Sequence, residues 1–301
     1  MAERASGFVT HGNTVCEVLI RPPDSFSLAL TSAPVTWGAG RWPNASWEDG
    51  VLTVVGWFKD QIGWRTVSQE PGGNLLITGN DDALTLRKWA ADALYRPLAI
   101  DTDDSVIVDL HRKFVGMHVH HANSLWEGLL SSVIGQGVSL AAAGIAATKL
   151  GALVGDEVTV NGKTFLPLPR PQDLAGLAAS DLRYSGLTGA RNATIVGLAE
   201  SVLDGTLAID GQETVWTPER LTALRGIGTW TAVSARIWGL GDDRYHPTGD
   251  AALLRAARLA YGHPTMTYQE LDELASKWGA RPASAARLLW TNMFGAPAER
   301  G

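Results

Sequence analysis

The sequence predicts an α+β fold, in which an antiparallel β-rich domain precedes an all-α domain. Three features of the 301-residue chain predict it. Apolar and polar residues alternate over roughly the first 80 positions, as they do in half-buried strands. Near Asp82 the apolar period lengthens to that of a helix, and beyond about residue 110 nearly every segment is helical in pattern. We therefore expect an N-terminal α+β domain over 1–112 and a helical domain over 113–301.

Four short apolar runs account for the predicted sheet. Clusters of Pro, Gly, Asn and Asp separate them, as turns do, so the strands are expected to pair antiparallel. A helix follows the last run, beginning at Asp81 or Asp82, both suitable N-caps. The four predicted strands are residues 14–20, 27–30, 50–58 and 74–78.

The second domain is predicted to be a series of helices with recognisable start signals. Thr217 precedes a proline at a first helical position, and Thr267 stands three residues before Glu270, the spacing of a capping box. A short hairpin is expected at 158–165 around an Asn-Gly pair. The predicted helices are 124–134, 139–154, 171–178, 190–204, 218–224, 229–239, 251–261, 268–278 and 283–294.

Composition and charge narrow the class of protein. No run approaches the ~18 apolar residues of a membrane span, and Met1 to Gly12 lacks the apolar core of a secretory signal. The single cysteine, Cys16, excludes an intrachain disulfide and any four-cysteine metal site. These features predict a cytoplasmic protein. The net charge of −6 argues against a stable coat on nucleic acid, so contact with DNA would have to be local.

The segment around Gly226 predicts a phosphate site. A short capped helix ends at Gly226 and Gly228, whose backbones can take conformations closed to larger residues, and a second helix follows. The amides of Gly228, Thr229 and Trp230 would then be open donors at a helix N-terminus, where the dipole also favours an anion. Such a site suits one DNA phosphate. The alternative is a plain turn between helices, and the glycine pair by itself favours that alternative.

The wider context of this hairpin resembles a known superfamily. The run from Leu221 to Ala232, Leu-x-x-Leu-x-Gly-Ile-Gly-x-Trp-Thr-Ala, resembles the signature of the helix-hairpin-helix DNA glycosylases. Downstream, Tyr-His-Pro-Thr-Gly-Asp ends at Asp250 and resembles the segment that carries their catalytic aspartate. The stretch from Gly228 to Asp250 accommodates one helix and a loop, which returns the aspartate to the side of the hairpin.

Further segments resemble the bacterial 3-methyladenine DNA glycosylase II family, in the same order along the chain. They are Trp126-Glu127 with the loop at 135–139, the Leu-Pro stretch at 168–169, residues 186–191, and the last helix with Trp290. The resemblance covers roughly 120 to 292 by motif. It implies a glycosylase domain of two helical lobes with the active-site cleft between them, and a β-rich domain ahead of it.

The resemblance assigns the chemistry to Asp250. A carboxylate that faces C1′ stabilises the sugar cation left by a departing base, or orients the attacking water. The structural alternative is a helix N-cap, which is compatible with catalysis. Trp230 stands where some members carry a lysine nucleophile, which predicts a monofunctional enzyme that hydrolyses without a cofactor and leaves an abasic site.

Family positions also predict a base pocket formed by Trp126, Trp230, Trp290 and Ser234. Aromatic rings favour electron-poor, positively charged alkylated purines through stacking and cation–π attraction. For Trp230 and Trp290 a position in the core is an equally good interpretation. Ser234 replaces an aromatic residue of the relatives and alters the pocket.

A glycine is predicted to change how the base is extruded. Relatives carry a larger residue at Gly137, which enters the base stack; here a neighbour such as Gln136 replaces it, or extrusion differs. Lys149 and Arg225 are further candidates for contact with DNA phosphates. The resemblance also implies a structural monovalent cation bound by the hairpin carbonyls. The predicted DNA-binding residues are Gly226, Gly228, Thr229, Thr231, Gln136, Gly137 and Arg191.

Three histidines, His118, His120 and His121, lack a partner spaced to complete a metal site, so we interpret them as surface or DNA-proximal residues and predict no metal centre. The predicted function is excision of alkylated purines, of the 3-methyladenine type, from damaged double-stranded DNA by a monomer in base excision repair. Two alternatives are a glycosylase of the same fold for bulkier or unusual adducts, and a non-catalytic DNA-binding helical protein.

Overall fold

An antiparallel sheet followed mostly by helices forms the fold, as the sequence predicts. In the computed structural model the described residues are 15–58, 61–154, 156–209 and 215–298, so the segment from Met1 to Gly12 lies outside them. The sheet has five strands in the order β1-β5-β4-β3-β2. Its strands are β1 (Cys16–Ile20), β2 (Ala45–Glu48), β3 (Val51–Phe58), β4 (Gln61–Gln69) and β5 (Leu75–Gly79).

Two short helices, α1 (Leu28–Thr31) and α2 (Ala33–Gly40), separate β1 from β2. The strand predicted at 27–30 is wrong. The Ser27 side chain accepts a hydrogen bond from the Leu30 amide at 3.2 Å and caps a helical turn, and Leu28 packs into the core below the sheet. The apolar run at 27–30 is therefore helical because the Ser27 side chain caps it.

The helix α3 (Ala83–Leu94) begins at the predicted cap, Asp82, whose side chain accepts from the Thr85 amide. It covers the sheet, burying Leu86 with Leu52 and Ile77. The next helix, α4 (Ser105–Lys113), packs against the C-terminal helix, so the first part of the chain shares a core with the last. The domain boundary at 112 stays a prediction.

Nine α-helices and one hairpin follow in the described ranges after residue 113, and one of the two predicted capping signals forms. Thr267 and Glu270 form the capping box, whereas the Thr217 side chain makes no capping bond. The elements are α5 (Leu125–Gly135), α6 (Leu140–Val154), β6 (Val158–Val160), β7 (Lys163–Phe165), α7 (Pro171–Leu174), α8 (Gly189–Leu203), α9 (Pro218–Leu221), α10 (Thr229–Leu240), α11 (Ala251–Ala260), α12 (Tyr268–Ala275) and α13 (Pro282–Phe294).

The helix α10 lies between two apolar cores. One core joins α5, α6 and α8 and includes Ala232 and Ala235 of α10. The other joins α4, α11, α12 and α13, and Trp238 of α10 packs against it. The helices α5 and α10 cross at Gly128 and Gly239, so closely that a Cβ on Gly239 would lie 2.6 Å from the Ser124 carbonyl. This crossing fixes the first turn of α10 beside the end of α5.

Among the described residues, no single helix has both the length and the apolar composition needed to cross a membrane. The α5–α6 pair, bent by 118°, meets that criterion by length and composition alone.

Candidate active site

The turn between α9 and α10 forms an open helix end. Gly226 has φ +82°, and a Cβ there would overlap the Thr194 side chain of α8, so the turn requires glycine on two counts. Gly228 is the N-cap of α10 and is exposed, as is Thr229. Within the described ranges, the amides of Gly228, Thr229 and Trp230 donate to no protein acceptor. The positive end of the α10 dipole therefore faces solvent.

Asp250 lies at the start of α11 with both carboxylate oxygens held. Oδ1 accepts from the Leu253 amide at 2.6 Å, the capping bond that the sequence suggests. Oδ2 accepts from the indole Nε1 of Trp230 at 2.8 Å. Bonds to an ionised acceptor are short and strong, so the half-buried carboxylate is fixed in position between the first turns of α10 and α11.

Trp230 therefore has a role that sequence reasoning missed. Its ring is half-buried and its edge lies near Gly135 at the end of α5, where a Cβ would be 3.7 Å from Cη2. Both interpretations, pocket wall and core residue, overlooked its N–H as a donor to Asp250. The indole can only donate a hydrogen bond, and the carboxyl oxygen Oδ2 of Asp250 is its acceptor. No local pattern links two residues on successive helices in this way.

The loop after α5 is bonded directly to the hairpin. The Gln136 side chain donates from Nε2 to the Gly226 carbonyl at 3.1 Å and to Thr231 Oγ1 at 3.0 Å. The Arg191 guanidinium, from the first turn of α8, donates to the Gln136 carbonyl. Gly137 follows with φ +62° and is exposed. The predicted DNA-binding residues thus converge from three segments of the chain.

The hairpin carbonyls are partly occupied by protein donors. The Leu224 carbonyl accepts from the Ile227 amide at 3.1 Å, and the Gly226 carbonyl accepts from Gln136. These bonds leave fewer open oxygens for a monovalent cation, which stays a prediction of the resemblance. Lys149 and Arg225 are exposed, as phosphate contacts would have to be.

The remaining predicted pocket residues are buried in different places. Trp126 lies in the core of α5, α6 and α8, and its indole donates to the Pro169 carbonyl at 2.7 Å. Trp290 lies in the other core, 5.4 Å from the Trp238 ring centre. Ser234 is buried one turn after Trp230 on α10. The packing of Trp290 is that of a core residue, and its contact with a base stays a prediction.

The opposite end of α10 is closed by cationic and backbone donors. Arg287 of α13 is 1% exposed, lies against the Trp238 ring and donates to the Ile237 carbonyl at 2.7 Å. Arg96 donates to the carbonyls of Leu240 and Gly241 at 2.9 and 2.8 Å. Between these two arginine sites, the backbone amides of Ala122 and Ser124 donate to the carbonyls of Trp238 and Gly239. Positive groups are favourable at this negative end of a helix.

One residue of the histidine cluster, His121, lies at this closed end. The surface interpretation is wrong for His118 and His121, which are both buried: His121 lies beside Gly241, and the His118 ring packs against Phe26. Burial lowers the pKa of His121 to about 3, and the charges of Arg96 and Arg287 act in the same direction. Burial also lowers the pKa of His120 to about 4. No group of three metal-ligating side chains occurs among the described residues.

No protein-family model matches the chain, but curated sequence relatives do. It is 26% identical over 187 residues to DNA-3-methyladenine glycosylase of Bacillus subtilis (strain 168), over 61% of this chain and 62% of that protein. It is 29% identical over 204 residues to the probable bifunctional transcriptional activator/DNA repair enzyme AlkA of Mycobacterium tuberculosis (strain ATCC 25618 / H37Rv), over 67% of this chain and 40% of that protein. The matched region is thus less than two thirds of either relative.

Solved structures share the fold over almost the whole chain. The 3-methyladenine DNA glycosylase from Archaeoglobus fulgidus superposes with a TM-score of 0.72 at 21% identity, covering 92% of this chain and 99% of that one. The apo form of the Clostridium acetobutylicum 8-oxoguanine glycosylase/lyase gives 0.71 at 16% identity, covering 91% and 95%. Sequence relatives and fold together support the helix-hairpin-helix DNA glycosylase superfamily and a family like the 3-methyladenine glycosylases II, which confirms the resemblance found in the motifs.

Proposed function

We propose that this chain is a monofunctional DNA glycosylase that hydrolyses the N-glycosidic bond of alkylated purines in double-stranded DNA. Bases of the 3-methyladenine type are the expected substrates, and the product is an abasic site for base excision repair. The observation that carries the proposal is the bond from Trp230 to Asp250, because it joins the candidate phosphate anchor to the candidate catalytic carboxylate. The names of the sequence relatives support the substrate class.

The open end of α10 holds the substrate in this proposal. The amides of Gly228, Thr229 and Trp230 bind one phosphate of the damaged strand without reading its sequence. Since the chain has a net charge of −6, this local anchor replaces a broad basic surface. The nucleotide is extruded from the duplex toward Asp250.

Asp250 acts on the sugar. As the C1′–N bond breaks, its electron pair leaves with the base, and positive charge develops on the sugar. The fixed carboxylate stabilises that charge and orients the water whose oxygen bonds to C1′ while its proton passes to solvent. An alkylated purine already carries a positive charge and departs as a neutral base, so no general acid is required.

Trp230 supports the monofunctional part of the proposal. An indole has no amine to attack C1′ and form a Schiff base, and its N–H is committed to Asp250. Borohydride is therefore expected to trap no covalent adduct between the protein and damaged DNA. Efficient trapping would contradict hydrolysis as the only reaction.

The test is to measure which bases are released from methylated duplex DNA. We expect the wild type to release 3-methyladenine and Asp250→Asn to release it at least about 10³-fold more slowly, because the neutral amide no longer stabilises the sugar cation. Folding and DNA binding are expected to persist in that variant. Asp104→Asn is the matched control, since Asp104 also caps a helix, with Oδ1 bonded to the amides of Val106 and Ile107, but on α4, which packs against α13.

The same assay separates the second candidate function, a glycosylase of this fold for bulkier or unusual adducts. Gly137 and Ser234 favour it, because small residues stand at two positions expected to border the extruded base. Release of another lesion but not of 3-methyladenine would select it, and binding without any release would indicate a non-catalytic DNA-binding protein. A monomer in the cytoplasm, without a cofactor, remains part of the proposal.

A further inference from the structure

The loop between α10 and α11 carries a histidine that the proposed mechanism does not use. His246 precedes Asp250 by four residues, and 15% of its side chain is exposed. Its Nε2 lies 2.7 Å from Oδ1 of Asp272, a residue of α12 that is 26 positions away in the sequence. The segment that ends at Asp250 is therefore bound to a helix that contributes no side chain to the candidate active site.

Two contacts fix the orientation of the His246 ring. A carboxylate accepts hydrogen bonds, so Nε2 is the donor to Asp272. The ring also lies edge-to-face against Trp278, with 6.0 Å between ring centres and 81° between the planes. Trp278 is 1% exposed and belongs to the core of α11, α12 and α13. Since Nδ1 is buried and has no partner in the part of the chain that the structure describes, the bond to Asp272 is the one polar contact of this ring.

The turn from His246 to Asp250 has few other attachments. Its two middle residues, Thr248 and Gly249, are exposed. The Thr248 amide donates to the His246 carbonyl at 2.9 Å, and the Asp250 amide donates to the carbonyl of residue 247 at 3.1 Å. Both bonds lie within the turn, so they fix its shape but not its place on the protein. That place is set by the His246 side chain, together with the buried Pro247.

We propose that His246 is a positioning residue, which holds Asp250 in place for catalysis by binding this turn to Asp272. The inference rests on the proposed function, in which Asp250 stabilises the sugar cation. The bond of 2.8 Å from Trp230 to Asp250 also requires the start of α11 to stay where it is. A shift of the turn would move the carboxylate relative to C1′, and a misplacement of about 1 Å can slow a reaction roughly 100-fold.

The experiment measures the single-turnover release of 3-methyladenine from methylated duplex DNA. His246→Phe keeps a ring beside Trp278 but removes the donor, so we expect the rate to fall about tenfold. Affinity for an abasic duplex is expected to stay within about twofold, because the phosphate contacts are unchanged. His263→Phe is the matched control and is expected to keep the wild-type rate, since His263 forms only a longer, exposed pair with Glu270 of α12, at 3.8 Å.

Two variants of Asp272 keep the test independent of the histidine substitution. Asp272→Asn retains an oxygen that accepts from His246 Nε2, and its rate is expected to stay within about twofold of the wild type. Asp272→Ala removes the acceptor and is expected to slow release as much as His246→Phe does. Equal losses in the two Asp272 variants would contradict a role for the hydrogen bond.

Two further readouts separate positioning from a general loss of stability. The effects of His246→Phe and Trp230→Phe on the rate are expected to be less than multiplicative when combined, because both act through Asp250. Multiplicative effects would contradict this shared route. Hydrogen–deuterium exchange in the peptide spanning 246–253 is expected to rise about tenfold in His246→Phe, with other helices unchanged.

The outcomes distinguish this inference from the proposed function. If the wild type releases 3-methyladenine and His246→Phe releases it equally fast, the positioning role is overturned while the proposed function stands. If the wild type releases no base, the proposed function falls and the positioning role falls with it. Slower release in His246→Phe and Asp272→Ala, at unchanged DNA affinity and with recovery in Asp272→Asn, supports the inference.

Discussion

The two ends of α10 differ in whether their terminal backbone groups have hydrogen-bond partners in the protein. At its C-terminal end the last carbonyls accept hydrogen bonds from the buried Arg287, from the exposed Arg96 and from a neighbouring loop. At its N-terminal end the amides of Gly228, Thr229 and Trp230 have no acceptor within the described residues and face solvent. Every helix leaves such groups unpaired at both ends. The protein itself completes one end, and the other end presents open donors of the kind that can bind an anion.

The difference implies that changes at the two ends have separable effects. A substitution at the closed end is expected to lower the free energy of unfolding, because it removes donors from buried carbonyls. A substitution at the open end is expected to change DNA binding or excision at constant stability. Any variant that affects both properties equally would break this division.

The largest expected effect on stability is at Arg287. Arg287→Ala leaves the Ile237 carbonyl without its donor and a cavity beside Trp238, which we expect to cost about 3–5 kcal/mol of unfolding free energy. Urea denaturation measures it. Arg112→Ala is the control, since Arg112 forms an exposed pair with Asp109 and is expected to cost less than about 1 kcal/mol. Equal losses in the two variants would refute a special role for the closed end.

Trp230→Phe keeps the ring but removes the N–H that holds Asp250. We expect the single-turnover excision rate to fall about 10- to 100-fold, because one charge-assisted bond no longer orients the carboxylate. Affinity for an abasic duplex is expected to stay within about twofold. Trp216→Phe removes a comparable indole bond, to the Ala208 carbonyl at 2.7 Å, and is expected to leave the excision rate unchanged.

The smallest and most specific effect is expected from Thr229→Pro. Thr229 is the first residue of α10, where proline fits the helix and merely deletes one open amide. Gly228 before it is extended, with ψ 174°, as a residue before proline prefers. We expect DNA affinity to fall about tenfold in a fluorescence anisotropy titration while the melting temperature is unchanged. Tyr268→Pro, at the first position of α12, should change neither, and a loss of stability in Thr229→Pro would argue that the amide is not open.

The N-terminal end of α10 was partly predictable from the sequence, because it depends on residues close together in the chain. The glycines at 226 and 228 and the cap at Asp250 act through neighbours a few residues away, so spacing alone predicts the turn between two helices and the start of α11 but not a phosphate site. The superfamily motif then placed Asp250 beside the hairpin. The bond from Trp230 needed the structure, because it depends on how two successive helices are inclined to each other.

The C-terminal end of α10 was not predictable from residues close together in the sequence. Arg287 and His121 lie in segments remote in sequence from each other, and each is an ordinary surface residue by type. Their burial depends on the packing of α13 and of the loop before α5 around α10, which no local pattern encodes. The same limit applies to α1, where a single cap from Ser27 overrode an apolar run that suggested a strand.

The glycine crossing of α5 and α10 has a mechanical consequence. Where Gly128 meets Gly239, the two helices touch through backbone atoms, and backbone atoms cannot change rotamer to absorb a displacement. The loop that carries Gly137 and the amides that begin at Gly228 are extensions of these two helices. The crossing therefore fixes the distance between this loop and the first amides of α10, so a ligand that contacts both must match that distance.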